Sequence, residues 1–212
     1  MCGLFILLTD LSLITESFNV QDVACEYRPY RPGRHISPGQ QVAAVIHDEK
    51  NRLVNFRWGL IPSWAKDLSM GNRMFNARAE TLSEKPSFKN AFKKRRCLII
   101  ADGVYEWQKL GKVKKPLYFS LKSGRPFGFA GLHETWVSPD HQPIHTCTII
   151  TTEPNELIKP IHDRMPVMVP KEREAFWIDP DNQNQKDLLS ILKPYPSEEM
   201  EMSEASISFR SV

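Results

Sequence analysis

Five short runs in the second half of the chain, each rich in apolar residues, limit the possible folds most strongly. They lie at 97–101, 104–108, 117–121, 127–132 and 146–151, and turns containing Gly or Pro separate them at short intervals. Helical segments do not alternate with these runs, as the βαβ units of a parallel sheet would require. Two further runs, at 42–46 and 53–58, predict a hairpin with its turn at 48–51. We therefore expect an α+β protein with a curved, mostly antiparallel sheet or barrel at its core.

Short helices are expected around this sheet. A run at 3–8 predicts a buried strand, after which Asp10 is placed to cap a helix that buries Leu11, Ile14 and Phe18 on one face. Other helices are predicted at 86–92, 155–158, 171–177 and 188–192. The stretch at 27–34 is too rich in Pro, Gly and Arg for regular structure.

Length and composition agree with one globular domain over residues 1–212, although the tail after about 178 carries no motif. The 41% of hydrophobic residues can form a real core, and the composition excludes collagen, coiled coils and wholesale disorder. The net charge of +3 permits a polyanionic partner without requiring one. We expect a monomer, although the sequence carries no signal of the oligomeric state.

The sequence also predicts where the protein resides. It contains no run of about 20 apolar residues, and the short run at 4–8 lacks the features of a signal peptide. The four cysteines, at positions 2, 25, 97 and 147, form no C-x-x-C pair and have no metal-ligand spacing. We expect a cytoplasmic protein with reduced thiols, no metal, no cofactor and no membrane partner.

Cys2 is the first candidate for chemistry. Removal of Met1 would leave an N-terminal cysteine with an amine of pKa about 7.7–8.0 and a thiol of pKa about 8.5 on adjacent carbons. This pair can trap an aldehyde, first as a Schiff base and then as a five-membered thiazolidine ring. Such a residue could also hydrolyse amides with its own amine as the base. The plainer alternative is a small buried residue at the start of a strand.

Glu106 and His162 are candidates for proton transfer. Glu106 lies in an aromatic strand, where burial would raise its pKa into the range of a general acid or base. The alternative is an outward-facing residue. His162 lies on a loop between Pro160 and Pro166 beside charged residues, and its alternative is a histidine bonded to nearby backbone.

Asn76 and Arg78 offer an amide for orientation and a guanidinium for a phosphate. The alternative is a helix-capping pair in which Arg78 forms an ion pair with Glu80.

Three tryptophans could stack on nucleic-acid bases or fill the core: Trp58, Trp64 and Trp107. The basic run at 93–96 is explained by cations at a helix C-terminus, and the lysines at 109–115 by a solvated turn.

Taken together, five segments resemble the SRAP (SOS-response-associated peptidase) family. They are Met1-Cys2-Gly3, Trp58-Gly59-Leu60-Ile61-Pro62-Ser63-Trp64, Asn76-Ala77-Arg78-Ala79-Glu80-Thr81, Ala101-Asp102-Gly103-Val104-Tyr105-Glu106-Trp107 and His162-Asp163-Arg164-Met165-Pro166-Val167. They occur in order along most of the chain. The resemblance implies the SRAP fold and a covalent sensor of abasic sites in single-stranded DNA, active in the DNA-damage response.

The resemblance also implies a role for each site residue. Cys2 would trap the ring-opened sugar aldehyde as a thiazolidine, and Asn76 would hold the α-amino group and the sugar. Glu106 would move protons during Schiff-base formation and ring closure, and His162 would assist sugar ring opening. The DNA strand would be held by Arg78, Arg164, Trp64 and Pro38. The peptidase name refers to proposed removal of residues before the cysteine, here a single Met.

Two positions depart from the family pattern. Position 4 is Leu where an Arg that clamps the DNA backbone is common, and position 35 is His where Asn is usual. We expect the reactivity to be kept and the DNA affinity to be affected. Two other functions stay open at this point: a thiol peptidase or amidohydrolase that uses Cys2, and a non-catalytic single-stranded DNA binding module.

Overall fold

The computed structural model describes residues 2–25 and 35–205. Its strands are β1 (Phe5–Ile6), β2 (Asp22–Val23), β3 (Gln41–Asp48), β4 (Lys50–Trp58), β5 (Asn76–Arg78), β6 (Arg96–Ala101), β7 (Gly103–Leu110), β8 (Val113–Leu121), β9 (Phe127–Val137), β10 (Pro143–Thr152), β11 (Met165–Pro166) and β12 (Met200–Glu204). The α-helices are α1 (Leu11–Ser17), α2 (Pro86–Lys94), α3 (Glu174–Ile178) and α4 (Gln185–Ile191). Short 3-10 helices lie at Leu68–Arg73, Ala79–Thr81, Lys171–Arg173 and Ser197–Glu199.

Five strands close into a barrel, in the order β10, β9, β6, β3, β4 and back to β10. Neighbouring strands are antiparallel except at the closure, where β10 runs parallel to β4 and Cys147 pairs with Trp58. The inward residues of the barrel strands are almost wholly apolar and buried, as in Ile99 and Phe129. The predicted α+β architecture with a curved, mostly antiparallel barrel is confirmed.

A second sheet, in the order β1, β7, β8, β12, attaches the N-terminal segment to the barrel. Phe5 exchanges two backbone hydrogen bonds with Ile36, at 3.1 and 2.8 Å. Its ring packs 5.2 Å from the ring of Trp58 and 5.7 Å from that of Phe129, measured between centroids. Burial of this aromatic side chain contributes about 2 kcal/mol or more, so the three residues before Phe5 are held against the barrel.

The first two helices follow their sequence signals. The Asp10 carboxylate caps α1 by accepting a hydrogen bond from the Leu13 N–H at 2.9 Å, which confirms the predicted cap. Helix α2 begins at Pro86 and buries Phe88 and Phe92. The predicted helices at 171–177 and 188–192 are present with shifted bounds, as a 3-10 turn followed by α3 and as α4.

The helix predicted at 155–158 is wrong, since this segment forms consecutive turns. The Asn155 carbonyl and side-chain oxygens accept hydrogen bonds from the next turn, including one from Ile158 N–H to Oδ1 at 3.1 Å. Pro160 has no N–H to continue the helical ladder.

The predicted irregular stretch at 27–34 lies outside the described residues. Among the helices of residues 2–25 and 35–205, none has both the length and the apolar character needed to cross a membrane.

Candidate active site

Cys2 is completely buried beside strand β7. Strand β1 pairs antiparallel with β7, with Phe5 opposite Val104, and the Tyr105 N–H donates to the Leu4 carbonyl at 3.0 Å. Continuing this register by one residue places Gly3 beside Glu106. The pairing therefore brings Cys2 close to Glu106, the candidate proton-transfer group.

Asn76 contacts Cys2 directly. Strand β5 runs parallel to β10, with Asn76 opposite Ile149, at the end of the barrel where the N-terminal segment lies. The Asn76 Nδ2 donates a hydrogen bond to the Cys2 carbonyl oxygen at 2.7 Å. Its Oδ1 is buried and accepts no hydrogen bond from any described residue. The side chain thus fixes Cys2 and keeps one acceptor available.

Glu106 is buried to 97%, and its Oε1 accepts no hydrogen bond within the described part of the chain. Burial raises the pKa of the Glu106 carboxyl to about 7, and the negative charge of Asp163 acts in the same direction. Burial also raises the pKa of the Cys2 thiol far above its usual range, with a further contribution from Glu106. The thiol is therefore protonated at neutral pH and needs a base before it can attack.

His162 reaches the same end of the barrel through β11, in which Pro166 pairs with Thr151 of β10. Its Nδ1 accepts a hydrogen bond from the Arg164 N–H at 3.0 Å, which leaves the proton of the neutral ring on Nε2. The same Nδ1 lies 2.8 Å from Asp163 Oδ1, a contact that is favourable only when the ring is protonated. Burial lowers the pKa of His162, the charge of Lys109 acts in the same direction, and Asp163 opposes both. We conclude that the neutral ring dominates at pH 7.

The two predicted phosphate ligands differ in their surroundings. Arg164 forms a bidentate ion pair with Glu80, at 2.8 and 3.0 Å, and donates to the Thr151 carbonyl at 2.6 Å. Arg78 is exposed, and no carboxylate of the described residues forms an ion pair with it. The alternative in which Arg78 pairs with Glu80 is therefore wrong, because Arg164, in the loop directly before β11, occupies that carboxylate.

The other predicted DNA contacts flank the end of β4. Pro38 and Gly39 form a turn in which Gly39, at φ +91°, donates to the Trp58 carbonyl at 2.7 Å. Trp58 is a core residue, whereas Trp64 is 57% exposed and available for stacking. No described hydrogen bond or ring contact joins Pro38 or Trp64 to Cys2. The structure thus brings the four candidate catalytic residues, Cys2, Asn76, Glu106 and His162, to one end of the barrel. Pro38 and Trp64 lie at the margin of this site.

The two departures from the family pattern converge on one aromatic ring. Leu4 is 8% exposed and packs in a small apolar cluster with Ile6 and Tyr105. The His35 ring meets the Tyr105 ring edge-on, with the centroids 4.9 Å apart. Neither relationship is visible in the sequence, because 70 residues separate His35 from Tyr105.

Sequence reasoning did not select Asp163 or Lys109, whose charges act on Glu106 and His162 respectively. Asp163 is inside a quoted motif, but its effect on Glu106 depends on the pairing of β11 with β10. Lys109 is exposed, as its place in a solvated turn predicts, but the sequence does not indicate that its charge acts on His162. Among the described residues, no three His, Cys, Asp or Glu side chains are grouped so that they could hold a metal ion.

Comparison with known proteins places the chain in a family. The sequence model described as SOS response associated peptidase (SRAP) matches residues 1–212. The chain is 48% identical over 208 residues to the Abasic site processing protein YoqW of Bacillus subtilis, covering 97% of this chain and 92% of that one. It is 45% identical to the Abasic site processing protein YoaM of the same organism, covering 97% and 91%. A crystal structure of a protein from Bacteroides thetaiotaomicron superposes with a TM-score of 0.89 at 27% identity, covering 97% and 92%. The chain therefore belongs to the SRAP family.

Proposed function

We propose that this protein captures abasic sites in single-stranded DNA by forming a thiazolidine between the ring-opened sugar aldehyde and Cys2, once Met1 has been removed. The relatives YoqW and YoaM are named abasic site processing proteins, which supports the substrate class. The observation that carries the proposal is the enclosed pairing of Cys2 with Asn76, beside a buried Glu106.

Two acceptors in this site support a role for the Cys2 amine. Asn76 Oδ1 and Glu106 Oε1 are both buried and accept no hydrogen bond from the described residues. A buried acceptor without a donor is costly, by about 1–3 kcal/mol. The α-amino group of a processed Cys2 carries donors that match these two oxygens. Such hydrogen bonds would hold the amine in place for attack on the aldehyde carbon.

The proposed reaction has three balanced steps. The Cys2 nitrogen attacks the carbonyl carbon and gives a carbinolamine. Loss of water then gives the imine, and this step needs an acid, which a protonated Glu106 would supply. The Cys2 sulfur finally adds to the imine carbon, its proton passing through the Glu106 carboxylate to the nitrogen. The adduct has the summed masses of protein and strand less one water.

His162 would act before these steps, on the closed form of the sugar. Ring opening moves the proton of the C1 hydroxyl to the ring oxygen of the sugar. Because Nδ1 accepts from the Arg164 N–H, the neutral ring would donate a hydrogen bond from Nε2–H to that oxygen and stabilise the negative charge that develops on it, without losing its own proton. Arg78, which is exposed two residues after Asn76, would hold a flanking phosphate without reading sequence.

The test uses a single-stranded oligonucleotide with one central abasic site, and an undamaged strand as the control. We expect a band that survives denaturing electrophoresis and an intact mass in which Met1 is absent and one water is lost. The Cys2→Ala variant should give no adduct while it still binds DNA weakly. An adduct that the variant forms through another residue, or no adduct from wild-type protein with a free Cys2, would overturn the proposal.

In the thiol peptidase alternative, the Cys2 thiolate would attack a peptide carbonyl. A cysteine nucleophile reacts as the thiolate, and burial raises the pKa of the Cys2 thiol, so this reaction, like closure of the thiazolidine, needs a base such as Glu106. Multiple turnover on a peptide, without DNA, would favour that alternative.

A further inference from the structure

The tip of the β7–β8 hairpin carries an unusual concentration of positive charge. Four lysines occur at positions 109, 112, 114 and 115, and no Asp or Glu occurs between Trp107 and Phe119. Lys115 is paired with Glu204 of β12. The other three are exposed, and no carboxylate of the described residues forms an ion pair with any of them.

The strand register places two of these lysines against each other. Lys109 lies directly opposite Lys114, on the face of the sheet that also carries the pair Trp107 and Pro116. Like charges at directly opposed positions destabilise a hairpin. A polyanion that contacts both ammonium groups would relieve this repulsion.

The hairpin tip is a two-residue turn. Strands β7 and β8 are joined by the two residues Gly111 and Lys112, and Gly111 has a φ of +62°. A positive φ at the first central residue is typical of the two-residue turns that match the twist of paired strands. Lys109, Lys112 and Lys114 are therefore presented to solvent by a regular two-residue hairpin, which agrees with the solvated turn predicted from the sequence.

The hairpin is also continuous with the candidate active site. Glu106 and Lys109 belong to the same strand, three residues apart, which corresponds to about 10 Å at 3.3 Å per residue. The charge of Lys109 reaches His162, whose pKa it lowers. Glu106 and Lys109 project from opposite faces of β7, so the link between the hairpin tip and the candidate site is the nearness of Lys109 to His162. A phosphate next to a sugar at Cys2 would lie within reach of the tip on the His162 side.

We propose that the tip of this hairpin, through Lys109, Lys112 and Lys114, binds the phosphodiester backbone of single-stranded DNA on one side of the captured sugar. This inference rests on the proposed function, since it takes its ligand from it. It assigns the hairpin a task that neither the motifs nor the arginines at 78 and 164 perform. The contact is to phosphate, so it carries no sequence preference.

The test measures non-covalent binding in a Cys2→Ser background, with an undamaged labelled oligonucleotide at several salt concentrations. The hairpin variant is Lys109→Gln/Lys112→Gln/Lys114→Gln. The control is Lys85→Gln/Lys89→Gln/Lys186→Gln, which removes the same charge from exposed lysines of α2 and its N-terminus and of α4. Each lost phosphate contact reduces the slope of log K against log salt by about 0.7. We expect the slope of the hairpin variant to fall by about 2 and that of the control to stay unchanged.

An unchanged slope for the folded hairpin variant would overturn the inference, as would an equal loss in the control. The triple Lys→Arg variant of the hairpin should keep the wild-type slope, since it keeps the charge. The failure of the proposed function is seen separately, as the absence of a covalent adduct on abasic DNA. The binding measurement does not depend on that step, so the two failures are distinguishable.

Discussion

The Asn76 side chain and the Cys2 carbonyl are joined by a 2.7 Å hydrogen bond across 74 residues of sequence. The bond links the short strand β5, held by β10, to an N-terminal segment held by the ring of Phe5. Neither partner would be placed by its own local sequence. The position of Cys2 thus depends on two long-range contacts, the pairing of β5 with β10 and the packing of Phe5 against the barrel.

Replacement of Asn76 by Ala should slow adduct formation without unfolding the protein. The change removes the donor to the Cys2 carbonyl and one acceptor for the amine. The loss of about 1.4 kcal/mol in positioning corresponds to about a tenfold lower rate. Single-turnover kinetics on abasic DNA would measure it, with circular dichroism as the check on folding. A rate equal to wild type would show that Asn76 does not position Cys2.

The pKa of about 7 at Glu106 predicts a pH-dependent rate. The acid form needed for water loss disappears as pH rises through 7, whereas the amine becomes protonated as pH falls, so the profile should be bell-shaped. The Glu106→Gln variant should react about 10²-fold more slowly, and its rate should no longer fall as the pH rises above 7. An unchanged profile would exclude Glu106 as the acid.

The raised pKa of Glu106 also makes the folded protein less stable as the pH rises. The folded pKa of Glu106 lies above its ordinary value of 4.5, so the neutral form is favoured in the folded state. This contribution is fully present below about pH 4.5 and is lost as pH rises through about 7. Urea unfolding at pH 5 and pH 8 should show a larger decline for wild type than for Glu106→Gln.

Much of the barrel could be predicted from the sequence, because its strands are continuous apolar runs between Gly and Pro turns. All five strands predicted in the second half are present, and β9 and β10 extend further, to Val137 and back to Pro143. The short strands β2, β5, β11 and β12 could not be predicted. These segments are extended because they pair with a barrel strand or with β8, and they carry no apolar pattern of their own that would predict a strand.

The sequence motifs predict which residues belong to the candidate site, but they do not predict which side chains those residues contact. The run at 93–96 illustrates the difficulty: Lys93 and Lys94 are exposed, Arg95 pairs with Glu134 at 2.6 Å, and Arg96 is buried. Four adjacent basic residues thus have three different environments. Their sequence pattern indicates only the cations at the end of α2.

Arg96 should be a major contributor to stability. Its guanidinium donates to five backbone carbonyls, those of Phe92, Lys93, Trp177, Asp179 and Asn182. Replacement by Met leaves these acceptors at the ends of α2 and α3 without their donor, at a cost of about 3–5 kcal/mol. The melting temperature should fall by about 10 °C. Lys94→Met, an exposed neighbour, is the control and should change it by less than about 2 °C.

The ion pair between Arg164 and Glu80 predicts an effect on DNA binding. If Arg164 contacts phosphate, Glu80 competes for the same guanidinium and repels the strand. Glu80→Gln should then raise the affinity for single-stranded DNA at low salt about two- to fivefold, the equivalent of a surface ion pair. The conservative Glu80→Asp variant keeps the charge and serves as the control. A lower affinity for Glu80→Gln would mean that the pair positions Arg164 for binding.

Leu4 and His35, which meet on the Tyr105 ring, predict what restoring the family residues would do. Arg at position 4 can lay its aliphatic stem over Tyr105 and extend its guanidinium into solvent. The Leu4→Arg/His35→Asn variant should therefore gain one phosphate contact and steepen the salt dependence of binding by about 0.7. Leu4→Met keeps the apolar packing and should leave the slope unchanged. If the double variant is folded and its slope equals that of wild type, the Tyr105 face does not contact the DNA backbone.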